Sequence, residues 1–380
     1  MPEYSIQNTL RVAKRFQNTK RTYLLVNPLQ AKHIPVPPRE SLQMMETLGS
    51  QLAREFPGTR LAIGFAETAT AIGAAVARQL GDGCVYLHTT REAEPDVKDW
   101  VLFSEEHSHV VEQKLCADQL PQWLEGTESV IFVDDEITTG KTLLNMIRQL
   151  RERYPSLGNK RLVAASLLNR LSPEDQRRLS EAGVECRWLV KLPEMDPARA
   201  VTGLAVEEAP EVNAEPVEFS RRVLACGPLP NPRRGVLIRD YQEACGQLAR
   251  TFGESIRSEL EPGSQVVTLG TEECMYPALV LGETLEQMGF STTCHATTRS
   301  PIGICTEPGY PIVSGGKLKS FYENGRSTYI YNLSKCDALV VVSDAASPGL
   351  DGLRDLLAAW KPYGCRRLFL IQGGQNVWYV

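Results

Sequence analysis

Asp134 and Asp135 stand side by side at the end of four apolar residues, Val130 to Val133, and just ahead of Thr138-Thr139-Gly140-Lys141-Thr142. An apolar run without alternation is what a strand buried on both faces looks like. After the polar stretch, Leu143 to Leu150 returns to helical spacing. A turn that opens a helix offers unpaired backbone N–H groups and the positive end of the helix dipole, which together hold a phosphate. The hydroxyls of Thr138, Thr139 and Thr142 add donors, and Gly140 lets the backbone come close. The two carboxylates repel a phosphate. They suit sugar hydroxyls or a hydrated cation beside it, so the stretch reads as a site for a phosphorylated sugar.

The string Gly140-Lys141-Thr142 also ends the nucleoside-triphosphate P-loop. That motif requires a glycine five positions before Gly140, where this chain has Asp135, so the P-loop is excluded.

The stretch from Val130 to Thr142 resembles, nearly position for position, the phosphoribosyl pyrophosphate (PRPP) loop of type I phosphoribosyltransferases. The resemblance implies that residues 138–142 take the 5′-phosphate of PRPP. It also implies that Asp134 and Asp135 serve the ribose hydroxyls, directly or through hydrated Mg2+, and are the catalytic pair. Upstream, a strand at Leu61 to Ile63 leads into Gly64-Phe65-Ala66-Glu67-Thr68-Ala69 and a small-residue helix. By the same resemblance this is the pyrophosphate loop, with Glu67, Thr68 and Ala69 as its contacts; on residue types alone it is equally a plain strand–helix connection. Cys84 to His88 is a further strand, ending near Arg91. An arginine at the C-terminal end of such a strand is placed to clamp pyrophosphate, and a surface salt bridge is its other reading.

Ser104 to His109 packs two acids and two histidines into six residues. The family carries a mobile loop or ribbon here, which makes Glu105, His107 and His109 candidates for acid–base or base-recognition roles. A solvated hairpin explains the same residues. The loop lacks the basic character of the catalytic loop in orotate phosphoribosyltransferase, which argues against orotate as the acceptor.

These residues need elements to carry them, and the chain has two series of such elements. Strands alternate with helices throughout, which implies mostly parallel sheets. After Arg234, an amphipathic helix from Tyr241 to Leu260 precedes Gln265 to Leu269 and Gly270-Thr271-Glu272-Glu273, echoing Leu61 to Glu67. Thr297-Thr298-Arg299 echoes Thr89-Thr90-Arg91. The run Ala338 to Gly349 lies over the first motif without a gap: Asp344 falls on Asp135, Ser347 on Thr138 and Gly349 on Gly140. This reads as a tandem duplication with a degenerate second copy. Ser343 replaces the first acid, Pro348 removes an N–H donor, and Asp351 replaces Thr142 with a negative charge, so this loop is not expected to bind PRPP. The second half has its own polar groups, with Thr298, Arg299, Ser300 and Asp344 as site candidates for a phosphate or nucleobase.

The string Thr298-Arg299-Ser300-Pro301 resembles the namesake of the TRSP domain, found C-terminal to an orotate-phosphoribosyltransferase-like domain in bacterial tellurite-resistance and stress-operon proteins. The order of the halves agrees, so the resemblance covers nearly the whole chain. The expected fold is therefore α/β: a type I phosphoribosyltransferase domain over residues 1–205, with a parallel sheet, flanking helices and a small hood partly from the N-terminus. A linker or ordered arm over 206–233 and a second α/β domain over 234–380, a degenerate copy of the first, complete it. The implied activity is transfer of ribose 5-phosphate from PRPP to a base-like acceptor, or the reverse, with Mg2+ as cofactor and a nucleoside-like metabolite as product. A non-catalytic sensor of PRPP or nucleotide with the same fold is the alternative, and a homodimer is a family-level expectation.

Composition sets the outer bounds. At 380 residues and 42% hydrophobic, the chain has material for two cores. A net charge of −5 argues against broad nucleic-acid binding. Ten scattered cysteines and an N-terminus without signal-peptide character read as a reducing cytoplasm. No apolar run approaches membrane-spanning length.

Overall fold

A computed structural model describes residues 3–103 and 113–380. The chain opens with α1 (Ile6–Thr9) and the antiparallel pair β1 (Arg11–Lys14) and β2 (Tyr23–Val26). A first series follows: α2 (Pro38–Glu55), β3 (Thr59–Gly64), α3 (Thr70–Leu80), β4 (Val85–His88), the antiparallel pair β5 (Trp100–Phe103) and β6 (Gln113–Cys116), α4 (Leu120–Glu125), β7 (Ser129–Ile137), α5 (Lys141–Arg153), β8 (Arg161–Asn169), α6 (Pro173–Glu181) and β9 (Val184–Lys191). The connecting stretch holds α7 (Pro197–Val201), β10 (Ser220–Val223) and β11 (Val236–Leu237). A second series then runs α8 (Ile238–Ile256), β12 (Gln265–Gly270), α9 (Tyr276–Gln287), β13 (Ser291–Ala296), the antiparallel pair β14 (Gly315–Lys319) and β15 (Ser327–Tyr331), β16 (Ala338–Ser343), α10 (Leu350–Trp360), β17 (Arg367–Gln372) and β18 (Asn376–Tyr379).

The chain forms two compact units. One comprises Gln43–Glu194 and Pro230–Gln242. Its six-stranded sheet has the order β11-β4-β3-β7-β8-β9, parallel from β4 to β9, with the short β11 antiparallel on β4. The central strands are apolar on both faces, and Val130 to Val133 are all buried. Helix α3 lies close on β3 because Gly64 and Gly73 face each other there; a Cβ on Gly73 would sit 3.1 Å from the Gly64 Cα.

The other unit comprises the chain up to Leu42, Met195–Leu229 and Glu243–Val380. Its sheet has the order β10-β18-β17-β16-β12-β13, and the strands β17, β16, β12 and β13 are parallel. The two orders agree strand for strand through β4-β3-β7-β8 and β13-β12-β16-β17, and the register agrees as well. Gly64 pairs His88 and Val133, as Gly270 pairs Ala296 and Val342. The copies part at the edge, where β9 is parallel to β8 while β18 turns back antiparallel on β17.

The compact units do not follow the linear domain boundaries expected from sequence. The N-terminal stretch, read as a hood over the first sheet, belongs to the unit of the second. Its apolar residues Ala13 and Val26 complete a buried cluster with Ile302, Ile312, Tyr329 and Tyr331. The segment after residue 194 is an ordered arm of that unit: Val212 N donates to Lys317 O at 3.1 Å, and β10 pairs antiparallel with β18. Among the described residues, no helix is long and apolar enough to cross a membrane, and all ten cysteines are free thiols.

Candidate active site

Strand β7 runs four residues past the apolar stretch, through Asp134, Asp135, Glu136 and Ile137. Sequence reading ended it at the acids, because consecutive carboxylates look like loop. The extension holds because Asp134, Glu136 and Ile137 still pair with Ser166, Leu168 and Asn169 of β8, while pairing with β3 stops at Val133. The acids therefore lie on strand backbone, next to the place where β3 has already turned away. Phe65 N donates to Val133 O at 2.9 Å, which ties the β3–α3 turn to that edge. Thr68 Oγ1 then donates to Asp135 Oδ1 at 2.8 Å. Two stretches some seventy residues apart in sequence, Glu67-Thr68-Ala69 and Asp134-Asp135, are thus joined by a hydrogen bond.

Asp134 accepts a hydrogen bond from Asp135 N at 2.9 Å. The residue is half-buried, and its carboxyl group faces Asp135. Burial first, and the neighbouring negative charge second, push its pKa well above the ordinary carboxylate value.

The turn after β7 ends in Gly140, which adopts a left-handed conformation (φ +68°) and caps α5 with no side chain bonded to the cap. Leu144 N donates to Gly140 O at 2.9 Å, while Thr139 Oγ1 reaches Lys141 N only at a long 3.4 Å. The first turn of α5 thus presents its N–H groups with Thr138, Thr139 and Thr142 half-buried around them. This is the geometry of an anion cradle.

At the upstream loop, Glu67 and Thr68 are half-buried and Ala69 is buried. The Ala69 amide is committed inside the turn, donating to Phe65 O at 3.0 Å. The Ala66 amide donates to Thr89 Oγ1 at 2.8 Å, and Thr89 Oγ1 donates onward to Gln113 Oε1 at 2.6 Å. Thr89, just after β4, and Gln113 of β6, which support this loop, were not picked out from sequence; the Thr89-Thr90-Arg91 string was the available signal. Arg91 is exposed on the turn after β4, at the same C-terminal end of the sheet as the other loops. Glu105, His107 and His109 lie outside the described residues. Sequence reading also missed Arg233, which is 2% exposed and donates from Nε to Thr90 Oγ1 at 3.2 Å.

Among the described residues, no group of three or more His, Cys, Asp or Glu side chains converges as in an all-protein metal site. Asp134 and Asp135 supply oxygen donors alone, which suits a magnesium ion that keeps most of its water and takes further oxygens from a phosphorylated substrate.

The second unit repeats three of these bonds. Thr271 N donates to Val342 O at 3.1 Å as Phe65 does to Val133, and Glu272 N donates to Thr297 Oγ1 at 3.0 Å as Ala66 does to Thr89. Gly349 is left-handed (φ +57°) and caps α10, with Leu353 N donating to its carbonyl at 3.1 Å. Of the candidates there, Arg299 pairs with the fully buried Glu272 at 2.6 Å, and Asp344 Oδ1 accepts from Tyr322 OH at 2.6 Å. Thr298 exchanges backbone bonds with Tyr329, and the Ser300 carbonyl accepts from Tyr331 OH at 2.9 Å, so these two hold the chain in place. Lys32 was not foreseen: it is fully buried and donates from Nζ to Glu272 O at 3.0 Å and Thr297 O at 2.9 Å.

No curated protein matches the chain. Among solved structures it is similar to adenine phosphoribosyltransferase from Giardia lamblia in complex with 9-deazaadenine, at 17% identity over 49% of this chain and 94% of that one, with a TM-score of 0.36. It is also similar to orotate phosphoribosyltransferase from Aeropyrum pernix, at 17% identity over 48% and 88%, with a TM-score of 0.31. Family models match two consecutive regions, residues 9–194 as a phosphoribosyl transferase and residues 231–357 as the TRSP domain found C-terminal to that transferase. The chain is thus a member of the phosphoribosyl transferase family over residues 9–194, followed by a TRSP domain over residues 231–357.

Proposed function

We propose that the first unit is a PRPP-dependent phosphoribosyltransferase that moves ribose 5-phosphate onto a nitrogen of a base-like acceptor. The observation that supports this best is the left-handed, side-chain-free cap at Gly140 directly after the adjacent carboxylates of β7. The N–H groups of residues 140–142 and the three threonine hydroxyls bind the 5′-phosphate. Asp135, oriented by Thr68, accepts from the ribose hydroxyls, with Asp134 beside it. Glu67, Thr68 and Arg91 face the pyrophosphate.

In the reaction the C1–O bond of PRPP breaks and pyrophosphate departs with the electron pair. The acceptor nitrogen forms the new bond to C1 and gives up its proton to water. Positive charge develops on the ribose, and the fixed carboxylates stabilise it. Bound Mg2+, held by Asp134 and Asp135 through water, would supply neutralisation of the leaving pyrophosphate. The same residues serve the reverse reaction.

The test is pyrophosphate release from PRPP across a panel of nucleobases and related heterocycles. Asp135→Asn should lower turnover by roughly 10²–10³-fold, the effect of removing one positioned electrostatic group. Full activity in that variant removes Asp135 from the mechanism. Thermal stabilisation by PRPP with no turnover on any acceptor would replace the enzyme with a PRPP-binding sensor.

A further inference from the structure

The second unit contains a cavity of about 510 Å³ at the position that matches the phosphate cradle of the first. One wall is residues 319–325, the end of β14 and the turn beyond it. The other is residues 347–351, the turn leading into α10. The framework of the first site is retained: a left-handed glycine caps the helix, and an acid, Asp344, stands at the end of the preceding strand.

The walls are held by a buried charge cluster. Glu272 is fully buried and left-handed (φ +47°), a backbone state that a non-glycine residue keeps only when its surroundings enforce it. Its carboxylate pairs with Arg299 at 2.6 Å and Arg326 at 3.0 Å and accepts from Ser320 Oγ at 2.8 Å. Ser320 Oγ in turn accepts from Tyr322 N at 3.1 Å, and Tyr322 OH donates to Asp344. The 320–322 wall is therefore fixed at both ends before any ligand arrives.

The charges decide what can enter. Each cation around the cavity already faces a carboxylate. Arg299 faces Glu272, Arg326 faces Glu272 and Glu323, both at 3.0 Å, Lys319 faces Asp355 at 3.4 Å, and Arg354 faces Asp351 at 2.8 Å, so four carboxylates meet four cations. Among the described residues around the cavity, no positive charge is in surplus for a phosphate. Pro348 has removed one cradle N–H, and Asp351, 68% exposed at the first turn of α10, puts a carboxylate where Thr142 stands in the first copy. What remains is Tyr322 as a ring face, with Ser347, Asn324 and Asp351 as partners for hydroxyl and amide groups.

We propose that this cavity binds an uncharged ribosyl ligand, a ribonucleoside, and excludes its phosphorylated form, through the wall 320–325 and Asp351 opposite it. The ribosyl part rests on reading residues 134–142 as a ribose-phosphate site; the charge discrimination stands on the second unit alone.

The experiment is hydrogen exchange on the full chain with millimolar adenosine, guanosine, cytidine or uridine, or their 5′-monophosphates, read peptide by peptide. At least one nucleoside should slow exchange in peptides covering 319–325 and 347–353, and its monophosphate should do so about tenfold more weakly. Asp351→Asn should narrow that gap, and Tyr322→Ala should abolish the nucleoside effect while leaving exchange in β12 and β16 as in the native chain. If no nucleoside protects these peptides, or the monophosphates protect them equally, the proposal is overturned. PRPP binding is read in separate peptides, at 138–144, so failure there bears on the first unit and not on this cavity.

Discussion

Gly140 and Gly349 occupy matching positions, and replacing each by alanine separates the two copies. Both are left-handed, so a Cβ carries a backbone cost of about 1–2 kcal/mol in either. Their surroundings differ. A Cβ on Gly140 would meet Leu179 Cδ1 at 2.8 Å and Cγ at 3.3 Å. Leu179 is buried, but the clash falls on its side chain, and an off-rotamer shift adds about 0.5–1.5 kcal/mol. A Cβ on Gly349 would meet the Phe321 Cα at 2.8 Å and its carbonyl oxygen at 3.1 Å. Main chain cannot rotate away, and overpacking of this kind adds about 1–3 kcal/mol. Gly140→Ala should therefore destabilise its unit by roughly 1.5–3.5 kcal/mol and Gly349→Ala its own by roughly 2–5 kcal/mol, read from urea unfolding with a probe in each unit. Binding should show the opposite order. By calorimetry in Mg2+, Gly140→Ala should weaken PRPP by about tenfold or more, while Gly349→Ala leaves it within about twofold. If PRPP binds Gly140→Ala normally, or if Gly349→Ala is the variant that loses it, the turn before α5 does not hold the phosphate.

Three further outcomes follow from the same geometry. Because burial raises the pKa of Asp134 in the folded chain, the unfolded chain ionises first as pH rises, and the native state loses stability from about the ordinary value of 3.8 upward. Asp134→Asn should thus be more stable than the native chain at pH 7, with the difference vanishing below that value, in thermal scans across pH. Mg2+ with PRPP should favour the ionised form of the same group and so narrow the stability gap between Asp134→Asn and the native chain, seen in thermal scans with and without the ligand; a gap the ligand leaves unchanged would contradict the place of Asp134 beside the metal. Lys32→Met should destabilise the second unit by roughly 1–3 kcal/mol for each of the two carbonyls it orphans, with the urea midpoint as readout.

The site residues nearest in sequence were the legible ones. Asp134 to Thr142 reads directly because strand end, turn and helix start are contiguous and each leaves its own residue types. The duplication reads because Gly64, Thr89 and Asp135 recur as Gly270, Thr297 and Asp344 at matching strand ends, where backbone bonding constrains the type. Length of strand was not legible: Asp134 to Ile137 look like loop, yet pairing with β8 holds them extended. Nor was the place of the first forty residues, because the partners of Lys32 lie some 240 residues away and nothing local to Lys32 announces them. Glu272 was quoted only as an echo of the first loop; its role as the centre of a buried ion cluster depends on Arg299 and Arg326 arriving from two other elements.

A crystal of the full chain grown with PRPP and Mg2+ tests the central claim most directly. The account requires the 5′-phosphate within hydrogen-bonding distance of the backbone N–H groups at the start of α5 and the ribose hydroxyls against Asp135. A 5′-phosphate bound anywhere else, or a ribose that leaves Asp135 untouched, would contradict it.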